Sequence, residues 1–329
     1  VNLVEALRHV ATARTDQELF GDIETARQYR RLVAALHPDR LGAVTAAERA
    51  AATEAFVRVT TRWRARHAII TVGTYRLGTV AHAGDLTDLY DVGPGHWLKL
   101  PRDPTNNDLM EREAIALRTL AERGDPRYLP YVPRLVETFR HRDPATAARR
   151  LINVVATAPG LHSLAEVHRA YPHGLDPRDA AWMWRRLLVA LGLAHRAGVV
   201  HGAVLPDHVL IEPTEHGVVL VDWCYSVIGE DTVPALVPAY ADWYPPEVPA
   251  RHRPGPGTDI AMATRCMTYL MGDRAPQALR AFADGCTPRP LRARPDDAWR
   301  LLGELDDVIE RLYGPRTFRP FALPTDSSR

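Results

Sequence analysis

A multidomain chain is predicted, all-α over residues 1–70 and α+β over residues 71–329, and three observations predict it. The length of 329 residues exceeds the size at which one hydrophobic core usually stops growing. Up to Trp63, apolar residues recur at the three- and four-residue intervals of a helix. From Tyr75 the pattern changes to short extended runs cut by glycine and proline, the punctuation of strands.

Composition narrows the function classes before any motif is considered. With 46% hydrophobic and 25% charged residues, the chain lies near the globular average and away from the disordered and membrane classes. The longest strongly apolar helical stretch, Leu187 to Ala194, has eight residues, whereas a bilayer span needs about 20, so no membrane anchor is expected. The start at Val1 lacks the basic, apolar and small-residue succession of a secretory signal, which predicts no export. Cys224, Cys266 and Cys286 are far apart and too few for a disulfide framework or a thiolate zinc site, which suits a reducing cytoplasm. A formal charge of +1 gives no case for nucleic acid. Of the 41 Lys and Arg residues, Lys99 is the only lysine, and that exception singles out position 99.

In the first seventy residues, Ile23, Ala26, Tyr29, Val33 and Leu36 share one helical face, while Arg27, Arg30 and Arg31 lie on the other. After a break at Pro38, a second helix places Ala52, Phe56, Val59 and Trp63 on one stripe. Neither helix can bury its stripe alone, which predicts an antiparallel pair, with a short helix through Leu3, Ala6, Leu7 and Val10 covering one end.

His37, Pro38 and Asp39 stand in the connecting loop, after a basic helix and before an Ala/Phe-rich one that ends in Thr61, Arg62 and Trp63. This arrangement resembles the J-domain family, cochaperones that stimulate ATP hydrolysis by the 70-kilodalton heat-shock chaperone. The resemblance implies that chaperone as partner, with Arg27, Arg30 and Arg31 facing an acidic surface, Pro38 fixing the loop and Asp39 presented as a charged contact beside His37. A plain alternative is that His37 and Asp39 only cap and turn the chain. The glycine- and cysteine-rich client-binding regions of that family are absent.

Beyond residue 70, three antiparallel strands are expected over Tyr75 to Val80, Thr87 to Val92 and His96 to Leu100, followed by a helix from about Asn107 to Ala121. Met110, Ala114, Leu117 and Leu120 form the inner face of that helix, and Glu113 beside them is the natural ion-pair partner for Lys99. The run from Pro254 to Gly257 is compatible with either a mobile surface loop or a proline-braced insert.

Here the chain resembles the protein kinase superfamily, and the resemblance continues to near the C-terminus. Asn153 to Gly160 looks like the last small-lobe strand and hinge, Asp179 to Ala197 like the central large-lobe helix, and His201 to Leu210 like the catalytic loop. Val218 to Cys224 resembles the strand leading to the metal aspartate, with Asp222 in that place. Pro245, Pro246 and Glu247 look like the close of the activation segment, Asp259 like the start of the next buried helix, and Arg294 with Trp299 like the late arginine helix. The implied fold is two-lobed and α+β.

The residues that would do the chemistry depart from the family pattern. Ala203 stands where the proton-accepting aspartate belongs, Leu205 where a phosphate-steadying lysine belongs, and His208 where the metal-binding asparagine belongs. What the resemblance leaves is nucleotide-facing: ATP with magnesium, held by Lys99, Glu113 and Asp222 under a degenerate glycine loop flanked by Gly78 and Gly84, with Asp222 and His208 as metal-side residues. His201 is expected to pack in the loop core, and Glu247 with Arg294 to form a buried pair. A regulatory or scaffold pseudokinase tethered to a J-domain, with an unidentified protein partner for the second domain, is the leading expectation. An atypical kinase-fold phosphoryl- or nucleotidyl-transferase using Asp222 for metal is the alternative.

Overall fold

The helix Leu3–Thr12 (α1) opens on a reciprocal cap, in which the Asn2 side chain accepts from the Glu5 N–H and the Glu5 carboxylate returns to the Asn2 N–H. The computed structural model describes residues 2–20, 27–38, 41, 44–66, 70–143 and 147–324, arranged as two compact units, Val1–Ala81 and His82–Arg329. In the first unit, α1 is followed by Asp16–Phe20 (α2), Arg27–Leu36 (α3) and Ala46–Arg66 (α4). The last is started by Thr45 and Glu48, which cap each other as Asn2 and Glu5 do. Ala6, Val10, Leu19, Phe20, Leu32, Leu36, Ala55 and Val59 form its core, and the rings of Tyr29 and Trp63 stack at 4.3 Å. The helical stripes expected for α3 and α4 therefore meet, although Ile23 and Ala26 lie outside the described residues. Strands Ile70–Val72 (β1) and Tyr75–Leu77 (β2) pair as a hairpin turned at Gly73, so the extended run expected to reach Val80 stops at Leu77.

In the second unit, strands His82–Ala83 (β3), Thr87–Gly93 (β4), His96–Pro101 (β5), Arg134–Arg142 (β6) and Arg149–Ala156 (β7) form an antiparallel sheet in the order β3-β4-β5-β7-β6. The helix Asn107–Arg123 (α5) lies between β5 and β6 in sequence and buries Leu109, Met110, Glu113, Ala114, Ala116, Leu117 and Leu120. The remainder is mostly helical. Short strands His162–Ser163 (β8), Val199–Val200 (β9), Val209–Glu212 (β10), Gly217–Leu220 (β11) and Val227–Ile228 (β12) accompany helices Leu164–Ala170 (α6), Pro177–Arg196 (α7), Pro256–Met271 (α8), Gln277–Cys286 (α9) and Ala298–Tyr313 (α10). Asp176 caps α7 and Pro177 occupies its first turn, where a missing N–H costs nothing.

Nearly all of α7 is buried, and Gly192 is its narrowest point: a Cβ there would stand 2.4 Å from the Trp299 ring nitrogen. Trp299 therefore seats α10 across α7, while Leu301, Leu305 and Ile309 are buried and Leu302, Val308 and Leu312 pack at the margin. The Pro254 to Gly257 run resolves into a braced helix start. Pro256 begins α8, and the Thr258 hydroxyl accepts from Gly255 N–H and donates to Glu247 at 2.9 Å. Arg294 grips the same carboxylate at 2.6 and 3.1 Å, the buried pair that was expected. Among the described residues no helix is long and apolar enough to cross a membrane.

Candidate functional site

The antiparallel register of β5 places Lys99 opposite Leu89 of β4 on one side and Asn153 of β7 on the other. Its ammonium is 3% exposed as a residue and donates to Glu113 Oε1 at 2.6 Å and Asp222 Oδ1 at 2.5 Å. Burial alone would drive the lysine toward its neutral form, but the Asp222 and Glu113 charges overcome it and hold its pKa well above the ordinary value. Burial pushes Asp222 the other way, and Lys99 and then His208 bring that carboxyl well below its usual range.

Asn153 completes this group and was not anticipated. It is fully buried, donates to Glu113 Oε2 at 3.0 Å and Met110 O at 2.8 Å, and accepts from Thr138 at 3.0 Å. Its signal was a lone amide in the apolar run Leu151 to Val155, because a buried polar side chain needs partners.

Asp222 leaves β11 in the left-handed conformation, φ 63°, which aspartate tolerates better than most residues. Trp223, Cys224 and Tyr225 then turn into the core. The loop before β10 is organised by Asp259, whose carboxylate accepts the His201 and Gly202 N–H groups at 2.8 Å each. His201 donates from Nε2 to Val221 O at 2.8 Å and is wholly buried, and burial pushes its pKa down to about 4 despite Asp259. Gly202 has φ +77°, and a Cβ there would approach Tyr225 O to 2.9 Å. Arginine in that place would meet both obstacles.

Ala203, Val204 and Leu205 are fully buried, so this stretch presents neither carboxylate nor ammonium. Asp207 is exposed, and the Tyr240 hydroxyl donates to it at 2.7 Å. His208 donates from Nδ1 to Ala203 O at 2.8 Å and turns Nε2 toward Asp222 Oδ2 at 3.5 Å.

The roof differs from the expected loop. His82 and Ala83 are paired with Leu89 and Asp88, so the tip is Gly84, Asp85 and Leu86, while Gly78 belongs to the first unit. Gly84 fits its turn tightly, since a Cβ would meet Thr87 O at 2.9 Å. Asp85 accepts the Tyr225 hydroxyl at 2.5 Å.

Asp222 is the residue here that could hold magnesium, an ion that takes one or two carboxylates together with substrate phosphates. One Asp222 oxygen accepts from Lys99 and the other faces the His208 imidazole, so both contacts would have to yield to the metal.

In the first unit, Arg30 and Arg31 are exposed on α3 without an ion pair among the described residues, whereas nothing is described of the Arg27 side chain. His37 is half-buried with its ring edge-on to Phe56 at 5.2 Å, and Pro38 follows it. Asp39 lies outside the described residues.

No protein-family model matches the chain, and no curated protein matches it. Solved structures do. The kinase domain of Mycobacterium tuberculosis PknI is similar with a TM-score of 0.55 and 14% identity over 73% of this chain and 98% of that one. A variant of the same domain gives 0.54 and 16%, covering 73% and 97%. The protein-kinase-like fold thus extends over about 73% of the chain, more than the first unit could supply.

Proposed function

We propose that the chain is a regulator or scaffold in which a kinase-fold unit without phosphotransfer machinery is tethered to a J-domain-like unit that recruits and stimulates the 70-kilodalton heat-shock chaperone. One observation carries the first half: the stretch from Ala203 to Leu205 is wholly buried and apolar, with no carboxylate where the substrate hydroxyl would lose its proton. His201 is committed to Val221 O, and Asp207 is held by Tyr240. The second half is supported by exposed Arg30 and Arg31 on a helix that leads into His37 and Pro38, with Asp39 next in sequence. Tethering would raise the local concentration of the chaperone at whatever protein the kinase-fold unit recognises.

The expected result is that the intact chain raises steady-state ATP hydrolysis by the chaperone severalfold and that Asp39→Asn abolishes the effect. Equal rates with both proteins would remove the J-domain half. A phosphoryl- or nucleotidyl-transferase using ATP, with Asp222 on the metal, is the second reading. What favours it is the sole lysine, placed between Glu113 and Asp222. Label transfer from ATP that disappears in Asp222→Asn would establish it.

A further inference from the structure

We propose that the cleft beneath the hairpin His82–Leu89 is held shut by a clasp within the chain, Asp85 to Tyr225, and that this clasp excludes nucleoside triphosphate. The inference rests on the reading that the unit does not transfer phosphate.

The clasp joins residues 140 apart in sequence, with the Tyr225 hydroxyl 2.5 Å from Asp85 Oδ2. Asp85 Oδ1 accepts the Leu86 N–H at 2.9 Å, so both carboxylate oxygens are engaged. The tip is further tied down by Leu86 O, which accepts from Arg102 N–H at 3.0 Å and from the Asn106 amide at 3.4 Å.

Tyr225 is 1% exposed and stacks on His208, ring centroids 5.6 Å apart and planes at 18°. His208 faces Asp222, and Asp222 holds Lys99. Roof and floor are thus linked by consecutive side-chain contacts. The segment after Tyr225 is anchored separately, because Arg112 of α5 donates to Ser226 O at 3.3 Å and Asp231 at 2.8 Å. Burial, with the Asp85 hydrogen bond and charge, holds the phenol far above its ordinary pKa, so it remains a donor at every physiological pH.

The electrostatics act in the same direction. Glu113 and Asp222 are two carboxylates on one ammonium, and Asp85 adds a further negative charge at the hairpin tip, which repels a polyanion. A hairpin tip that cradles phosphate offers free backbone N–H groups. Here Gly84 N–H is bonded to Thr87 O at 2.9 Å, and Leu86 N–H to Asp85.

The test uses the intact chain as wild type, Tyr225→Phe and Asp85→Asn, with ATP and either magnesium or manganese in titration calorimetry, and hydrogen exchange of the hairpin amides. Tyr225→Phe keeps the buried ring, and Asp85 is at an exposed tip, so both should fold. Wild type should show no saturable binding at millimolar ATP. Tyr225→Phe should speed exchange at residues 84–89 about tenfold, the equivalent of one charge-assisted hydrogen bond, and Asp85→Asn should raise ATP affinity at least tenfold. Wild-type binding equal to that of the variants, unchanged hairpin exchange in Tyr225→Phe, or no gain in affinity in Asp85→Asn would each overturn the clasp. ATP binding by wild type without label transfer would overturn the clasp alone, whereas label transfer by wild type would overturn the scaffold reading.

Discussion

The floor around Lys99 and the loop from His201 to Leu210 adjoin at the His208–Asp222 contact, yet they are built on opposite principles. The floor is an ammonium shared by two carboxylates, buried Lys99 between Glu113 and the half-buried Asp222, steadied by the Asn153 amide. The loop keeps its shape through backbone donors gathered on Asp259 and through an uncharged, buried His201. The difference teaches how the loop keeps its shape with Ala203 at its centre. A carboxylate that only accepts a substrate proton can be a methyl group without disturbing the loop, whereas each charge of the floor is needed by the others.

The largest expected effect breaks the floor. Lys99→Ala leaves Glu113 and Asp222 without their cation and should cost about 3–5 kcal/mol of stability, read by urea unfolding. A loss below about 1 kcal/mol would show that the charges relax into water and that the floor is not structural.

The second prediction tests the loop through pH. The folded-state pKa of His201 is depressed to about 4 while the unfolded value is near 6.5, so the unfolded chain binds the extra proton. Stability from this group is therefore complete above about pH 6.5 and lost as pH falls toward 4, on the order of 3 kcal/mol. The stability lost between pH 7 and pH 4, read from unfolding curves, should be about 3 kcal/mol larger for wild type than for His201→Asn. Identical pH dependence would mean that His201 is not buried neutral.

The smallest effect sharpens the comparison. Ala203→Asp restores a carboxylate to the loop, but Leu205 and His208 still leave phosphate and metal unheld, so label transfer to a generic peptide should rise less than tenfold. Robust transfer by this variant would show that the missing aspartate is the only defect.

Much of this architecture was legible in local pattern. The helical stripes marked α1 and α4 and gave α5 to within two residues, and the glycine and proline breaks marked β4 and β5. The Lys99–Glu113 pair followed from a lone lysine on a strand and a glutamate on the inner face of the next helix. The roof was misplaced because Gly78 and Gly84 look alike in sequence, and only pairing distinguishes a glycine in the first unit from one at the hairpin tip.

By itself, the amino-acid sequence determined the order of helices and strands, the solitary ammonium at position 99 and the absence of a carboxylate at position 203. Those are properties of neighbouring residues or of single side chains, and periodicity and covalent structure specify them. The tertiary structure decided the partners: Asn153 for Glu113, Asp259 for the His201–Gly202 backbone, Tyr240 for Asp207 and Tyr225 for Asp85. Their sequence separations run from 33 to 140 residues, and a hydrogen bond over such a span is chosen by which surfaces pack, not by any pattern along the chain.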